Sequence, residues 1–261
     1  METWQIWLGG LLAALVLMTV TWLISVARRD VSIVDRVWGP AFVVLAWTYA
    51  VLADAWTPRT WVVLVLVTVW GLRLGGYITW RNWGEGEDKR YVRMRERNDS
   101  FAVTSLWRVF WLQGALAWLI SVPLLAATVR MPEGGLGWLD VVAVVAWSVG
   151  FVYEAGGDWQ LQRFLADPDN RGRVMDRGLW KHTRHPNYFG DSVVWLAYGL
   201  FALAVGAWWA LAGPVLMTFL IVKVSGVALT DAGMSKGGSR REGHEEYVRR
   251  TNAFIPGPRK P

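Results

Sequence analysis

The sequence predicts an all-α polytopic membrane protein, a single domain over 1–261 with seven transmembrane helices and a cap of loops on the cytoplasmic side. Three observations predict this class. First, 54% of the residues are hydrophobic and the mean hydropathy is +0.26, yet the charges are confined to a few blocks between long apolar runs. Second, seven of those runs approach the roughly 20 residues that a helix needs to cross the hydrocarbon layer. Third, the basic residues divide unevenly between alternate loops.

The spans are expected at about 4–27, 36–54, 60–80, 105–129, 137–156, 190–208 and 211–229. The first lacks a basic leading region and a small-residue cleavage site, so it reads as a retained helix and not a signal peptide. Seven crossings put the termini on opposite sides. Of the 27 Lys and Arg, only Arg59 and Arg130 fall in outer loops and Arg73 and Lys223 fall deep inside spans, leaving 23 for inner loops, inner helix ends (Arg36 and Arg108 among them) and the C-terminal tail. This sets the N-terminus outside and the C-terminus in the cytoplasm, in an inner membrane. Tryptophans near the span ends, among them Trp4, Trp22, Trp38, Trp56, Trp61 and Trp208, suit the headgroup layer.

The net charge of +6 belongs to that cytoplasmic rim, so membrane lipids and no nucleic acid are the expected macromolecular surroundings, and a monomer is expected. The absence of cysteine excludes disulfide scaffolds, thiolate metal sites and thiol nucleophiles. No His, Asp and Glu spacing suggests a metal site. Three polar inner segments remain for chemistry, 81–104, 157–189 and 230–261. The fifth span runs into charged sequence with no proline until Asp167-Pro168, so its helix is expected to continue inward and to align Glu154, Asp158 and Gln162 by i,i+4 spacing.

Residues 171–200 are the richest stretch. They combine Arg171, Arg173, Arg177, Lys181 and Arg184 with His185-Pro186-Asn187-Tyr188-Phe189-Gly190-Asp191 at a membrane entry. Unpaired polar groups are expensive at that depth. Guanidinium forks beside them fit a ligand with phosphates. No GxGxxG lies in a strand–turn–helix context, so a dinucleotide here needs a site unlike the Rossmann fold.

The stretch GLWKHTRHPNYFGD (178–191), with EDKRY at 87–91 and EEYVRRTNAFIP at 245–256, resembles the bacterial DUF1295 family, membrane proteins similar to the steroid 5-alpha-reductases. The Arg184 to Gly190 core is shared with the isoprenylcysteine carboxyl methyltransferases. The resemblance implies a seven-helix enzyme that uses NADPH to reduce the carbon–carbon double bond of an enone, with a hydrophobic steroid or lipid as substrate. It implies Tyr77, in Arg73-Leu74-Gly75-Gly76-Tyr77, as the hydrogen-bond donor to the ketone. Asp158, Asn187 and Asp191 follow as cofactor contacts, Asp191 standing where the steroid enzymes carry a glutamate.

Arg81, Asp88, Arg90, Arg163, Arg171, Arg173, Arg184, His185, Tyr188 and Tyr247 complete the expected cofactor set. Asp35, beside Arg36 at the inner edge of the second span, is expected as the second catalytic residue with Tyr77, in the region where the steroid enzymes carry a Gln-Glu pair. Where the steroid enzymes place a cofactor-binding His and Tyr, this sequence has Lys236, Arg240 and Arg241, while His244 and Tyr247 lie nearer Ile255-Pro256. The competing expectation is a methyltransferase using S-adenosylmethionine. That cofactor has no phosphate and carries a sulfonium, for which the arginines of 157–189 are poorly suited.

The loop charges predict that reporter fusions after Arg59 and after Arg97 report opposite sides of the membrane. Signals on the same side would overturn this topology.

Overall fold

The computed structural model describes residues 1–130, 135–226 and 243–261. All regular elements among them are helical. Five helical stretches are long and apolar enough to cross a membrane: Thr3–Arg28, Ile33–Ala53, Pro58–Arg81, Phe101–Ile120 and Trp138–Ala166. Their outward faces are apolar. In Thr3–Arg28 the residues Leu8, Leu12, Val16 and Val20 are exposed, while Ile6, Gly10, Ala14 and Met18 are buried at four-residue spacing. A helix that hides small residues and shows leucine and valine outward is built for lipid contact.

The chain divides into two compact units, Met1–Gly137 with Phe201–Ala210, and Trp138–Leu200 with Leu211–Pro261. In the first, Pro58–Arg81 begins with Pro58 at its first position and Thr57 as its cap, whose hydroxyl accepts from the Thr60 amide at 3.1 Å. This helix lies against Ile33–Ala53 at glycine contacts. A Cβ on Gly39 would sit 2.5 Å from the Gly71 carbonyl oxygen, and one on Gly71 would sit 2.6 Å from that of Gly39. One turn further on, a Cβ on Gly75 would meet the Arg36 carbonyl oxygen at 2.8 Å. A buried hydrogen bond between Tyr49 and the Ser121 hydroxyl, 2.7 Å long, ties Ile33–Ala53 to the start of Val122–Val129.

The fourth expected span, 105–129, is interrupted. Phe101–Ile120 contains a π-helical stretch, Leu106–Trp111, and ends at Ser121, after which Val122–Val129 restarts. Pro123 explains the break, since it lacks an amide hydrogen and its ring would crowd the carbonyl four residues earlier.

In the second unit Trp138–Ala166 continues beyond the fifth expected span and stops at Asp167-Pro168, as the sequence predicts. The sixth expected span is the helix Pro186–Ala204, whose first two turns carry Asn187, Tyr188 and Asp191. The seventh is represented by a shorter apolar stretch, Trp208–Val224, composed of a 3-10 turn, the helix Ala212–Phe219 and a π-helical turn. Its expected residues 227–229 lie outside the described residues.

Gly39→Ala should destabilise the protein by about 1–3 kcal/mol, because backbone and not a mobile side chain blocks the new methyl group. Gly76→Ala, with nothing within 4 Å of its Cβ position, should be neutral or stabilising by up to about 1 kcal/mol from helix propensity. Thermal unfolding in detergent compares the two.

Candidate functional site

The candidate residues fall into two groups, one in each unit. In the first unit the junction at residues 30–36 is sewn to the segment 87–95. Glu87 accepts from the Val31 amide at 2.8 Å and takes two hydrogen bonds from Arg95, at 2.8 and 3.1 Å. The Ser32 hydroxyl accepts from the Asp88 amide at 3.0 Å and donates to Asp30. Asp88 caps the helix Lys89–Glu96 by accepting from the Arg90 amide at 2.8 Å.

Asp35 is the centre of this knot. Its carboxylate accepts from Arg90 Nη2 at 2.9 Å and from the Tyr91 hydroxyl at 3.0 Å. Its sequence neighbour Arg36 pairs elsewhere, with Asp30 at 3.5 Å. Asp35 is therefore engaged by two donors from the 87–95 segment. Partial burial acts to raise the Asp88 carboxyl, but hydrogen bonds from Arg90 and the charges of Arg90 and Arg81 outweigh it and hold Asp88 below the usual carboxylate range. Burial and the Asp35 charge push the Tyr91 phenol well up, so it stays protonated and donating.

Tyr77 is half-buried in the last turns of Pro58–Arg81. The guanidinium carbons of Arg73 and Arg81 stand 5.2 and 5.5 Å from its ring centroid, one on either side in sequence. Arg81 also donates to the Asn82 side chain at 3.1 Å.

The second unit gathers the remaining residues around the C-terminal half of Trp138–Ala166. Glu154 and Asp158 are 3% and 4% exposed on successive turns. Asp158 accepts from the Asn187 side-chain amide at 3.0 Å, joining the long helix to the first turn of Pro186–Ala204. Glycines permit this approach. A Cβ on Gly190 would lie 2.3 Å from the Glu154 amide nitrogen, and one on Gly150 would lie 2.7 Å from the Gly190 carbonyl oxygen. His185 is buried with its ring stacked on Tyr188, centroids 5.5 Å apart. Asp191 lies one turn beyond Asn187, half-buried.

The connecting loop is fixed from both sides. The Gly157 carbonyl accepts from the Trp180 indole at 3.0 Å, and Gln160 accepts from the Leu179 amide at 2.9 Å. Gly178 has φ +56, a left-handed conformation that glycine adopts without penalty. From the tail, the Tyr247 hydroxyl donates to the Trp180 carbonyl at 2.8 Å, the Asn252 carbonyl accepts from the Arg184 amide at 2.9 Å, and the Thr183 hydroxyl donates to the Phe254 carbonyl at 2.8 Å. Arg259 reaches Asp176 at 2.7 Å.

Arg163 is exposed, its guanidinium carbon 5.5 Å from the Trp159 ring centroid. Arg171 and Arg173 are exposed and line an open cavity of about 270 Å³ beside Asn170. Arg173 also borders a second cavity, of about 350 Å³, with Tyr247. The structure thus brings together Asp35, Asp88 and Arg90 in one unit, and Asp158 with Asn187, His185 with Tyr188, and Arg173 with Tyr247 in the other.

Sequence reasoning missed Tyr91, Gln160, Trp180 and Arg259 as anchors. The available signal was weak: Tyr91 falls three residues after the Asp88 cap, the buried position of a short helix. Tyr247 was expected to contact cofactor, and its hydroxyl is committed to the Trp180 carbonyl, leaving the ring as a cavity wall. Lys236, Arg240 and Arg241 lie outside the described residues.

Asp35→Asn should weaken the hold on both Arg90 and Tyr91. We expect a loss of about 1–2 kcal/mol, discounted for the solvent exposure of Arg90, and faster proteolysis within 82–97. Proteolysis at the wild-type rate would show that the knot does not hold the segment.

No solved structure matches this chain. An uncharacterized protein of the fission yeast Schizosaccharomyces pombe is 28% identical over 223 residues, covering 74% of this chain and 63% of the yeast protein. The chain therefore spans less than two thirds of that relative's length. A family model described as "Protein of unknown function (DUF1295)" matches residues 21–251, and the chain belongs to that family.

Proposed function

We propose that this protein is an integral-membrane reductase that uses NADPH to saturate the conjugated double bond of a hydrophobic enone, a steroid-like or other lipid ketone. The observation that supports the reading most is the 3.0 Å hydrogen bond from Asn187 to Asp158. It joins the two residues that the resemblance to the steroid 5-alpha-reductases assigns to the cofactor, in a region rich in guanidinium groups. These donors fit the cofactor's chemistry. Arg171 and Arg173 are exposed and suited to bidentate phosphate contact, while Asn187 and Asp158 offer an ordered amide and carboxylate at the membrane end. The same cationic character disfavours a sulfonium cofactor and with it the methyltransferase alternative.

The cofactor, when bound, would supply a hydride for the β-carbon of the enone, and a proton from solvent taken up at the α-carbon would complete the reduction. The chain's own task is to stabilise the negative charge that then develops on the ketone oxygen. Tyr77 is the group assigned to it. Its phenol donates to that oxygen, and the flanking guanidiniums of Arg73 and Arg81 favour negative charge nearby. Asp35, held by Arg90 and Tyr91, acts in this reading as a positioning residue for the 87–95 segment and not as an acid. The seven-span topology, with the N-terminus outside an inner membrane and the cap in the cytoplasm, belongs to the same proposal, as does a monomeric state.

NADPH should bind the detergent-solubilised protein at least tenfold more tightly than NADH, with Arg173→Ala narrowing the gap. Tyr77→Phe should keep NADPH affinity and lose about 100- to 1000-fold in turnover on an enone panel, read as NADPH oxidation. Binding of S-adenosylmethionine in place of NADPH would overturn the reductase reading. Full turnover in Tyr77→Phe would overturn the role of that residue.

A further inference from the structure

The cavity of about 350 Å³ in the second unit is walled by Phe164, Val174 and Tyr247 and ringed by Arg173, Arg177, Arg250 and Arg259. Its two acids are already engaged. Asp176 takes Arg259 at 2.7 Å, and Glu246 takes Arg250 at 3.1 Å. Arg173 and Arg177 have no side-chain partner among the described residues, and among those residues the ring has two more cations than acids. The Arg259 Nε–H is also buried without an acceptor among the described residues. A buried guanidinium donor left without an acceptor is costly unless something fills it.

We propose that this cavity binds a phosphomonoester on a nucleoside, and that Arg177 and Arg259 are the residues that select for it. A phosphomonoester carries about −1.5 to −2 charge at pH 7 and three strong acceptor oxygens, which matches an arginine ring with two more cations than acids among the described residues. The aromatic walls, Phe164 and Tyr247, suit the nucleoside that bears it. The assignment rests on the dinucleotide reading above, since NADPH and NADH differ by one such group, the 2′-phosphate of the adenosine. It places selectivity on Arg259, which the loop residue Asp176 holds in position with both its carboxylate and its carbonyl oxygen. Arg171, which borders the separate cavity beside Asn170, is not part of this ring.

Calorimetry on the full chain in lipid nanodiscs, with NADPH, NADH and adenosine 2′,5′-bisphosphate as probes, tests the proposal. Wild-type protein should bind NADPH, and adenosine 2′,5′-bisphosphate should compete. Arg177→Gln and Arg259→Gln should each weaken NADPH and the bisphosphate about tenfold or more and leave NADH unchanged. Asp176→Asn separates charge from scaffolding. It removes a negative charge while keeping Arg259, so it should preserve or tighten NADPH binding, whereas a purely structural pair would be damaged by either change. Equal weakening of NADPH and NADH, or no weakening in either arginine variant, would overturn the proposal while leaving the dinucleotide reading in place. Wild-type protein that binds none of the three probes would overturn that reading and this proposal with it.

Discussion

The second unit depends on two helix backbones coming closer than side chains normally allow. At Gly150 and Gly190 the helices Trp138–Ala166 and Pro186–Ala204 approach until a methyl group on either glycine would strike the other backbone. That approach brings Asn187 within hydrogen-bond reach of Asp158 and keeps both Glu154 and Asp158 out of solvent. Packing in lipid gains little from the hydrophobic effect, because lipid tails are as apolar as leucine, so close van der Waals contact and polar bonds must supply the specificity. The Gly39 and Gly71 contact does the same for the first unit.

Polar bonding takes over where the helices end. In each unit a charged segment is tied to helix termini by buried or half-buried groups, not by an apolar core. Glu87, Asp88 and Asp35 perform this role in the first unit, and Gly157, Gln160 and Asp176 in the second. A cap assembled in this way needs little hydrophobic area. That is consistent with the small size of the hydrophobic cluster on the loop side of the long helix, formed by Phe164, Met175 and Trp180.

The fold class was legible because apolar runs and charge blocks are set by the solvent on each side and do not require knowledge of partners. The extension of the fifth helix beyond its apolar span was legible for a similar local reason: nothing between Trp138 and Asp167-Pro168 stops a helix. Boundaries were less legible where a proline sits in an otherwise apolar run, as at Pro123. Site residues were legible as types and not as partners. Asp35 stands next to Arg36 in sequence, yet successive residues on a helix point about 100° apart, and its bonds go to Arg90 and Tyr91 more than fifty positions away.

The bonds that close the second cap join residues far apart along the chain. Tyr247 to Trp180 spans 67 positions, and Arg259 to Asp176 spans 83. Both helical stretches of the hairpin, Pro186–Ala204 and Ala212–Phe219, lie inside that closed loop. Contacts of such separation form late, after the entropy of closing the intervening chain has been met. The latch between the tail and the 176–184 loop therefore depends on the fold of everything between its two halves, and a change in the intervening helices is felt at the loop.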